Sequence, residues 1–183
     1  MLDLLKQSVP EGAFEESPSA DGMPTIYVTH EHLVESRRAL RDRPELGFAL
    51  LADITAADYY PREPRFEVIY LLASLGVAGF GDTPKRLRVK VRVPGEPAHV
   101  PSVAEVWPAA NWAEREVYDM FGVHFDNHPD LRRVLMPDDW EGFPARKDYP
   151  VQIKQPVKTY APLQLSAEEF VANIENARDG SKR

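Results

Sequence analysis

The chain has 183 residues, with 22 basic and 29 acidic side chains, a formal charge of −7 and a pI near 5.3. That length suits one domain of about 150 residues plus an appendage, with a core large enough to need no staples. Net acidity argues against a nucleic-acid partner, and the count of 0 cysteines excludes disulfides, thiolate zinc sites, cysteine nucleophiles and cysteine-held iron–sulfur clusters.

The first residues show no basic start followed by an apolar run and a cleavage site, so no signal peptide is expected. The longest uncharged run lies between Glu67 and Asp82; it is too short to span a bilayer and is broken by Gly76, Gly79 and Gly81. A soluble, cytoplasmic chain is expected, touching a membrane only through a partner. Proline occurs 17 times and marks where regular structure stops, because it removes a backbone donor. The proline-free windows 25–43, 45–60, 65–83, 85–93 and 109–128 should hold the elements.

Thr25-Ile26-Tyr27-Val28-Thr29 is rich in β-branched residues and predicts a strand, paired with an earlier one near 12–17. Thr29 is placed to cap a helix through about Arg41, with Leu33, Val34 and Leu40 on its inner stripe. Residues 47–57 and 65–75 predict two strands, the second central because both its faces become apolar over Ile69–Leu75. Glycines 76, 79 and 81 make the turn that follows. From Arg86 to Val93 the alternation is without error, Leu87, Val89, Val91 and Val93 on one side and four cations on the other. A solvated sheet face is the simpler reading of those cations; a basic surface for an acidic partner is the sharper one. Ser102 and Glu105 fit a capping box opening a helix that Pro108 keeps very short. Asn111 with Glu114 gives a second cap, for a helix of about Trp112–Phe121 that Gly122 ends.

At about 100° per residue, Ala113, Val117 and Met120 share one face of that helix, with Phe121 at its margin. Glu114, Arg115, Tyr118 and Asp119 take the other, Arg115 and Asp119 spaced for an ion pair. Glu116 falls among the apolar residues, so it is expected to bond Arg132 or Arg133 rather than be buried alone. His124 and His128 are four apart amid carboxylates, but Gly122 before them and Pro129 after them argue against a shared helix face. A histidine closing a turn is the expectation over a metal site. Glu96 and His99 have di-iron spacing but lie among Pro94, Pro97 and Pro101. No dinucleotide fingerprint, phosphate loop or nucleophile elbow occurs, and the residue chemistry reads as non-catalytic.

Beyond Trp140 the pattern turns Pro-punctuated, through Arg146-Lys147-Asp148-Tyr149-Pro150 to about Leu165. Ser166 with Glu169 forms another capping box, Leu165 with Phe170 a hydrophobic staple, and Phe170, Val171, Ile174 and Ala177 an apolar stripe. The expected organisation is a core domain over 1–143, carrying a charged motif at 114–135, and an arm over 144–183 ending in a short amphipathic helix. The arm either folds back on the domain or docks on another protein, and docking is the favoured reading.

The run from Glu114 to Gly122, His128-Pro129-Asp130-Leu131-Arg132-Arg133-Val134-Leu135, Glu141-Gly142-Phe143-Pro144 and Arg146 to Pro150 resembles the C-subunit family of respiratory complex I. The resemblance is looser over Leu51–Ile54, Asp58-Tyr59 and the strands at 65–75 and 86–93. It implies an α+β fold, a mixed sheet of about five strands covered by helices on one face, with an extended C-terminal arm. It implies a cofactor-free small subunit of the peripheral arm of NADH:quinone oxidoreductase, on the cytoplasmic side of the bacterial cell membrane, with flavin, iron–sulfur clusters and quinone in partner subunits. The D subunit, which forms the quinone site, is the chief expected neighbour. Glu114, Arg115, Glu116, Tyr118, Asp119, His128, Asp130, Arg132, Arg133, Arg146, Lys147, Asp148 and Tyr149 carry over as structural and partner-interface residues, with no catalytic, cofactor-binding or metal residue among them. Two alternatives stand beside this: the equivalent subunit of a membrane-bound hydrogenase or ferredoxin- or F420-linked complex, and a small carboxylate/histidine metal enzyme built on 114–130. An arm that docks should be cut rapidly beyond about Pro144 when the isolated chain is digested, and a bound partner should suppress the cutting; equal protection in the lone chain would remove the docking reading.

Overall fold

The computed structural model describes residues 4, 12–77, 83–151 and 166–180. Along the chain lie β1 (Phe14–Ser17), β2 (Thr25–Val28), a 3-10 turn (His30–His32), α1 (Leu33–Asp42), β3 (Leu50–Asp58), β4 (Phe66–Leu75), β5 (Pro84–Val93), β6 (His99–Pro101), α2 (Ala110–Phe121), β7 (His124–Asp126) and α3 (Ala167–Gly180). The chain divides after Tyr149 into two units.

Period-two side-chain alternation builds the first unit. Five strands form one mixed sheet in the order β1-β2-β5-β4-β3. β2 runs parallel to β5, while the β1–β2, β4–β5 and β3–β4 pairs are antiparallel. The register aligns Ile26, Val89, Tyr70 and Ile54 in one row across four strands, all buried. The core beneath that face takes in Leu33 and Leu40 of α1 and Ala110 and Val117 of α2, so the helices cover one side of the sheet. β4 lies between β3 and β5, as its two apolar faces predict.

On the uncovered face the cations of β5 are answered within the chain. Lys90 donates to Glu67 Oε2 at 2.9 Å, and the Tyr27 hydroxyl to Oε1 at 2.7 Å. Arg88 pairs with Asp21 at 2.6 Å; Arg92 pairs with Glu15 at 3.6 Å and lies 3.9 Å from the Tyr27 ring centroid. These cations are therefore answered inside the chain: Arg92 stays exposed, as a solvated face implies, while Arg88 and Lys90 are half-buried in their pairs.

Several boundaries differ from the expectation. Thr29 makes no capping bond, and the 3-10 turn intervenes before α1 begins at Leu33; Val34 is half-buried while Arg37 shares the buried stripe. Residues 103–107 form a turn rather than a helix. Its Val103, Val106 and Trp107 are buried, and Trp107 Nε1 donates to the carbonyl of Phe48 at 3.0 Å. Glu105 does not complete a box but sits 3.8 Å from Arg38. The turn is tied to α1 by Arg37 donating to Ser102 O at 2.5 Å and Arg41 donating to Val106 O at 2.6 Å. α2 begins at Ala110 with no side-chain cap, and ends as expected at Gly122, whose φ of 72° is the left-handed conformation a β-carbon penalises. Gly76 has φ 69° at the end of β4, whereas Gly79 and Gly81 lie outside the described residues.

Residues 144–149, assigned to the arm by proline spacing, belong to the first unit. In the second unit the capping box of α3 is formed: Glu169 N donates to Ser166 Oγ at 3.2 Å and Ser166 N to Glu169 Oε2 at 3.0 Å. Phe170, Val171 and Ile174 are exposed. Leu165 of the expected staple, and the stretch 152–165, lie outside the described residues.

Candidate interaction site

From Asn127 to Tyr149 the backbone forms no strand or helix. Its polar groups have no ladder to join and must find partners elsewhere. Turns supply some of them, as where Arg146 N donates to Phe143 O and Tyr149 N to Arg146 O, and charged side chains supply others.

Asp119, fully buried, does most. Its Oδ2 accepts the backbone N–H of Val134, Leu135 and Met136 at 3.0, 2.7 and 2.8 Å, and its Oδ1 meets Arg133 Nη1 at 2.7 Å. Burial pushes the carboxyl pKa up, yet these four donors outweigh it and hold the group below the usual carboxylate range. Arg133 donates onward to the carbonyls of Trp140 and Gly142 at 3.1 and 2.9 Å. Arg115 donates to the carbonyls of Arg132 and Arg133 at 3.1 and 3.2 Å, with its guanidinium 4.7 Å from the Trp112 ring. The expected Arg115–Asp119 ion pair gives way to these longer-range bonds.

Glu114 reaches the other way, into the first unit's core. Its oxygens accept the Ser102 hydroxyl at 2.6 Å and Val103 N–H at 2.5 Å. Burial dominates and pushes its pKa up to about 7, against the lowering effect of those bonds and of Arg37. The His128 side chain is buried beside it; Nε2 donates to Asn111 O at 3.0 Å and Nδ1 accepts Asp130 N–H at 3.0 Å. His128 thus closes a turn, while His124 sits exposed on β7, and the structure does not bring the two together as ligands.

The helix partition drawn from periodicity is reversed for the charges. Glu114, Arg115 and Asp119 are buried, whereas Glu116 is exposed and bonds neither Arg132 nor Arg133. The physical reason is that the face opposite the sheet is itself covered, by the segment those charges hold down.

A second anchor fixes the end of the segment. Arg65, at the start of β4, grips Asp58 at the end of β3 through Nε and Nη2 at 3.0 and 2.8 Å, and Asp148 through Nη1 and Nη2 at 2.9 and 2.6 Å. Asp58 also accepts Tyr60 N–H and Lys147 N–H at 2.9 and 2.8 Å. Its pKa is about 2, because hydrogen bonds from Arg65, Lys147 and Tyr60 outweigh its burial. Arg146 donates to Phe121 O at 2.5 Å and lies 4.6 Å from the Phe143 ring, which meets Tyr118 edge-on at 6.1 Å. A β-carbon on Gly122 would strike the Phe143 ring and Arg146, so the left-handed residue also makes room for this packing. The Tyr149 hydroxyl donates to Glu141 O at 3.4 Å. Arg65, Asp58 and Ser102 were not foreseen from the sequence. Arg65 and Asp58 meet each other across the β3–β4 connection, but they meet Asp148 and Lys147 more than eighty residues away, for which no local spacing gives a signal.

Five of the thirteen candidates remain exposed: Glu116, Asp130, Arg132, Lys147 and Asp148, the last held by Arg65. Asp130 and Arg132 pair with each other at 2.9 Å, and exposed Trp112 and Leu135 add apolar area to the same segment and helix. Fixed backbone beneath exposed charge and apolar area is chemistry for recognising a protein surface.

Residues 26–155 match the family described as the respiratory-chain NADH dehydrogenase 30 Kd subunit. The NADH-quinone oxidoreductase C subunit 2 of Rhizobium meliloti (strain 1021) is 47% identical over 141 residues, covering 77% of this chain and 74% of the relative. The C subunit of the same enzyme from Roseiflexus sp. (strain RS-1) is 42% identical over 160 residues, 87% of this chain and 88% of the relative. Among solved structures, a trypsin-resistant fragment of Nqo5 is similar with a TM-score of 0.61 and 35% identity, covering 71% of this chain and 96% of that one. A chain of the membrane-bound sulfane sulfur reductase, an archaeal respiratory membrane complex, shares the fold at a TM-score of 0.67 and 23% identity, over 87% of this chain and 96% of that one.

Asp119→Ala leaves Arg133 and three N–H groups without their acceptor, and is expected to cost about 3–5 kcal/mol in urea unfolding, whereas Glu116→Ala stays within about 0.5 kcal/mol. Glu114 binds a proton more tightly when folded, at about 7, than at its ordinary 4.5. Its contribution to stability is therefore complete below pH 4.5 and is lost as pH rises through about 7. Unfolding free energies measured across that window are expected to fall with pH in the wild type, and to fall less steeply in Glu114→Gln.

Proposed function

This chain belongs to the respiratory-chain NADH dehydrogenase 30 kDa subunit family, and from that premise we propose that it serves as a structural subunit of the peripheral arm of NADH:quinone oxidoreductase, complex I. The observation that carries the structural reading is the side-chain scaffold under 127–149: Asp119, Arg133, Arg115, Asp58 and Arg65 are spent on holding backbone in place. Electron transfer and quinone chemistry require cofactors held to within a fraction of an ångström by rigid support. A subunit contributes to that by bracing its neighbours, without itself handling electrons. Flavin, iron–sulfur clusters and quinone then belong to partner subunits, consistent with a sequence that offers no thiolate.

In this reading the chief partner is the D subunit, which carries the quinone site, met by the exposed residues Glu116, Asp130, Arg132 and Lys147 and by α3. The apolar stripe of α3 is exposed at Phe170, Val171 and Ile174 and would be buried against a neighbour. No described helix is long and apolar enough to cross a membrane. The chain then reaches the cytoplasmic side of the membrane through the complex alone.

Truncation after Tyr149 in the native host is expected to lower the amount of assembled complex, seen on native gels, more than the NADH:quinone turnover per assembled complex. Normal assembly with slow quinone reduction would instead give this chain a direct part in catalysis. Combined reversal of Asp130 and Arg132, which leaves their mutual attraction intact, is expected to weaken co-purification of the other subunits while thermal stability is unchanged.

A further inference from the structure

His99, His124 and Asp126 share one face of the small parallel sheet, where His99 is the register partner of His124 and Asp126 follows two residues on. His30, at the start of the 3-10 turn after β2, brings its ring against His99, edge to face, with centroids 5.1 Å apart. One donor atom each from His30, His99 and Asp126 lies within 4.8 Å of the other two. His99 Nδ1 and Asp126 Oδ2 are already 2.8 Å apart. His30 Nε2 is buried and has no hydrogen-bond partner among the described residues. A buried imidazole nitrogen without a partner calls for an explanation, and a lone pair shared with an ion is one.

We propose that His30, His99 and Asp126 bind one divalent transition-metal ion of the zinc class. Two imidazoles and a carboxylate suit zinc and its neighbours; magnesium and calcium favour all-oxygen sets. With bonds of about 2.0–2.2 Å, donors around one tetrahedral ion stand about 3.3 Å apart, so the side chains close by rotation rather than by moving strands. Partial exposure of His99 and Asp126, at 42% and 37% of their side chains, leaves that freedom and an entry path. His124 holds the second carboxylate oxygen at 3.3 Å from outside, the orienting role that outer-shell groups perform at metal sites. Three protein ligands leave a fourth position for water or for a donor from a neighbouring protein. The ion joins the turn after β2 to the β6–β7 pair, three segments far apart in sequence. Because it binds the folded chain alone, it stabilises the fold by linkage.

The test uses the full-length chain, free of any histidine tag and stripped with chelator. Titration with Zn2+ by calorimetry is expected to show one ion per chain, with a rise in the unfolding temperature. Titration with Co2+ should develop visible absorption bands that Zn2+ abolishes. His30→Ala, His99→Ala and Asp126→Asn should each weaken binding by at least about tenfold. His32→Ala, which removes a half-buried histidine paired with Glu35 at 3.7 Å, should leave it unchanged. Should an alanine variant fail to fold, the ring resonances of His30 and His99 in the wild-type chain serve instead, and both must shift and saturate at one equivalent of Zn2+. Absence of saturable binding, binding that persists in both His30→Ala and His99→Ala, or saturation without movement of those two resonances overturns the site and leaves an adventitious ion only.

Discussion

The constraint on which this structure turns is that the backbone from Asn127 to Tyr149 has no secondary structure of its own to satisfy it. Turns close some of its N–H groups on nearby carbonyls, as at Trp140, Arg146 and Tyr149. Side chains meet others: Asp119 the donors of 134–136, Asp58 that of Lys147, Arg115 and Arg133 the carbonyls of 132, 133, 140 and 142. Every one of these side-chain bonds engages a charged group, and charge-assisted bonds are shorter and stronger than neutral ones. The cost of desolvating such charges is offset only when each finds several partners at good geometry. Asp58 and Asp119 do: both stay ionised while largely buried, their donors outweighing burial. The charge density of α2 is therefore internal scaffolding first and surface second.

This arrangement gives the proposed bracing role a physical basis. A surface built on irregular backbone keeps one shape only if that backbone is pinned, and here it is pinned at both ends: by α2 near its start and by the Arg65 clamp at its finish. Glu114 is the exception among the carboxylates, since burial prevails over its two hydrogen bonds. It links α2 to Ser102 and Val103, and burial there favours its protonated form.

The fold was largely legible in the sequence because period-two alternation is a local signal. Leu87, Val89, Val91 and Val93 could face one way only, and the register then aligned Ile26, Val89, Tyr70 and Ile54. The site was legible in composition and not in connectivity. The residues of the charged motif stood out, but helical periodicity assigned Glu114, Arg115 and Asp119 to solvent and Glu116 toward the core. Periodicity sorts charge from apolar side chains on the assumption that one face meets water. It fails where a later segment folds over the polar face, and a helix cannot announce that cover in its own residues.

What the sequence alone determined were the properties set by neighbours in the chain: strand alternation, the glycine end of α2, the capping box of α3, the absence of thiol chemistry and the resemblance to a complex I family. Tertiary structure alone decided which charges are buried, that Arg65 joins Asp58 to Asp148, and that His30 meets His99 and Asp126. The division has one physical cause. Backbone propensity acts over a few residues, whereas desolvation and charge pairing depend on what lies within a few ångströms in space, and only the closed fold establishes that.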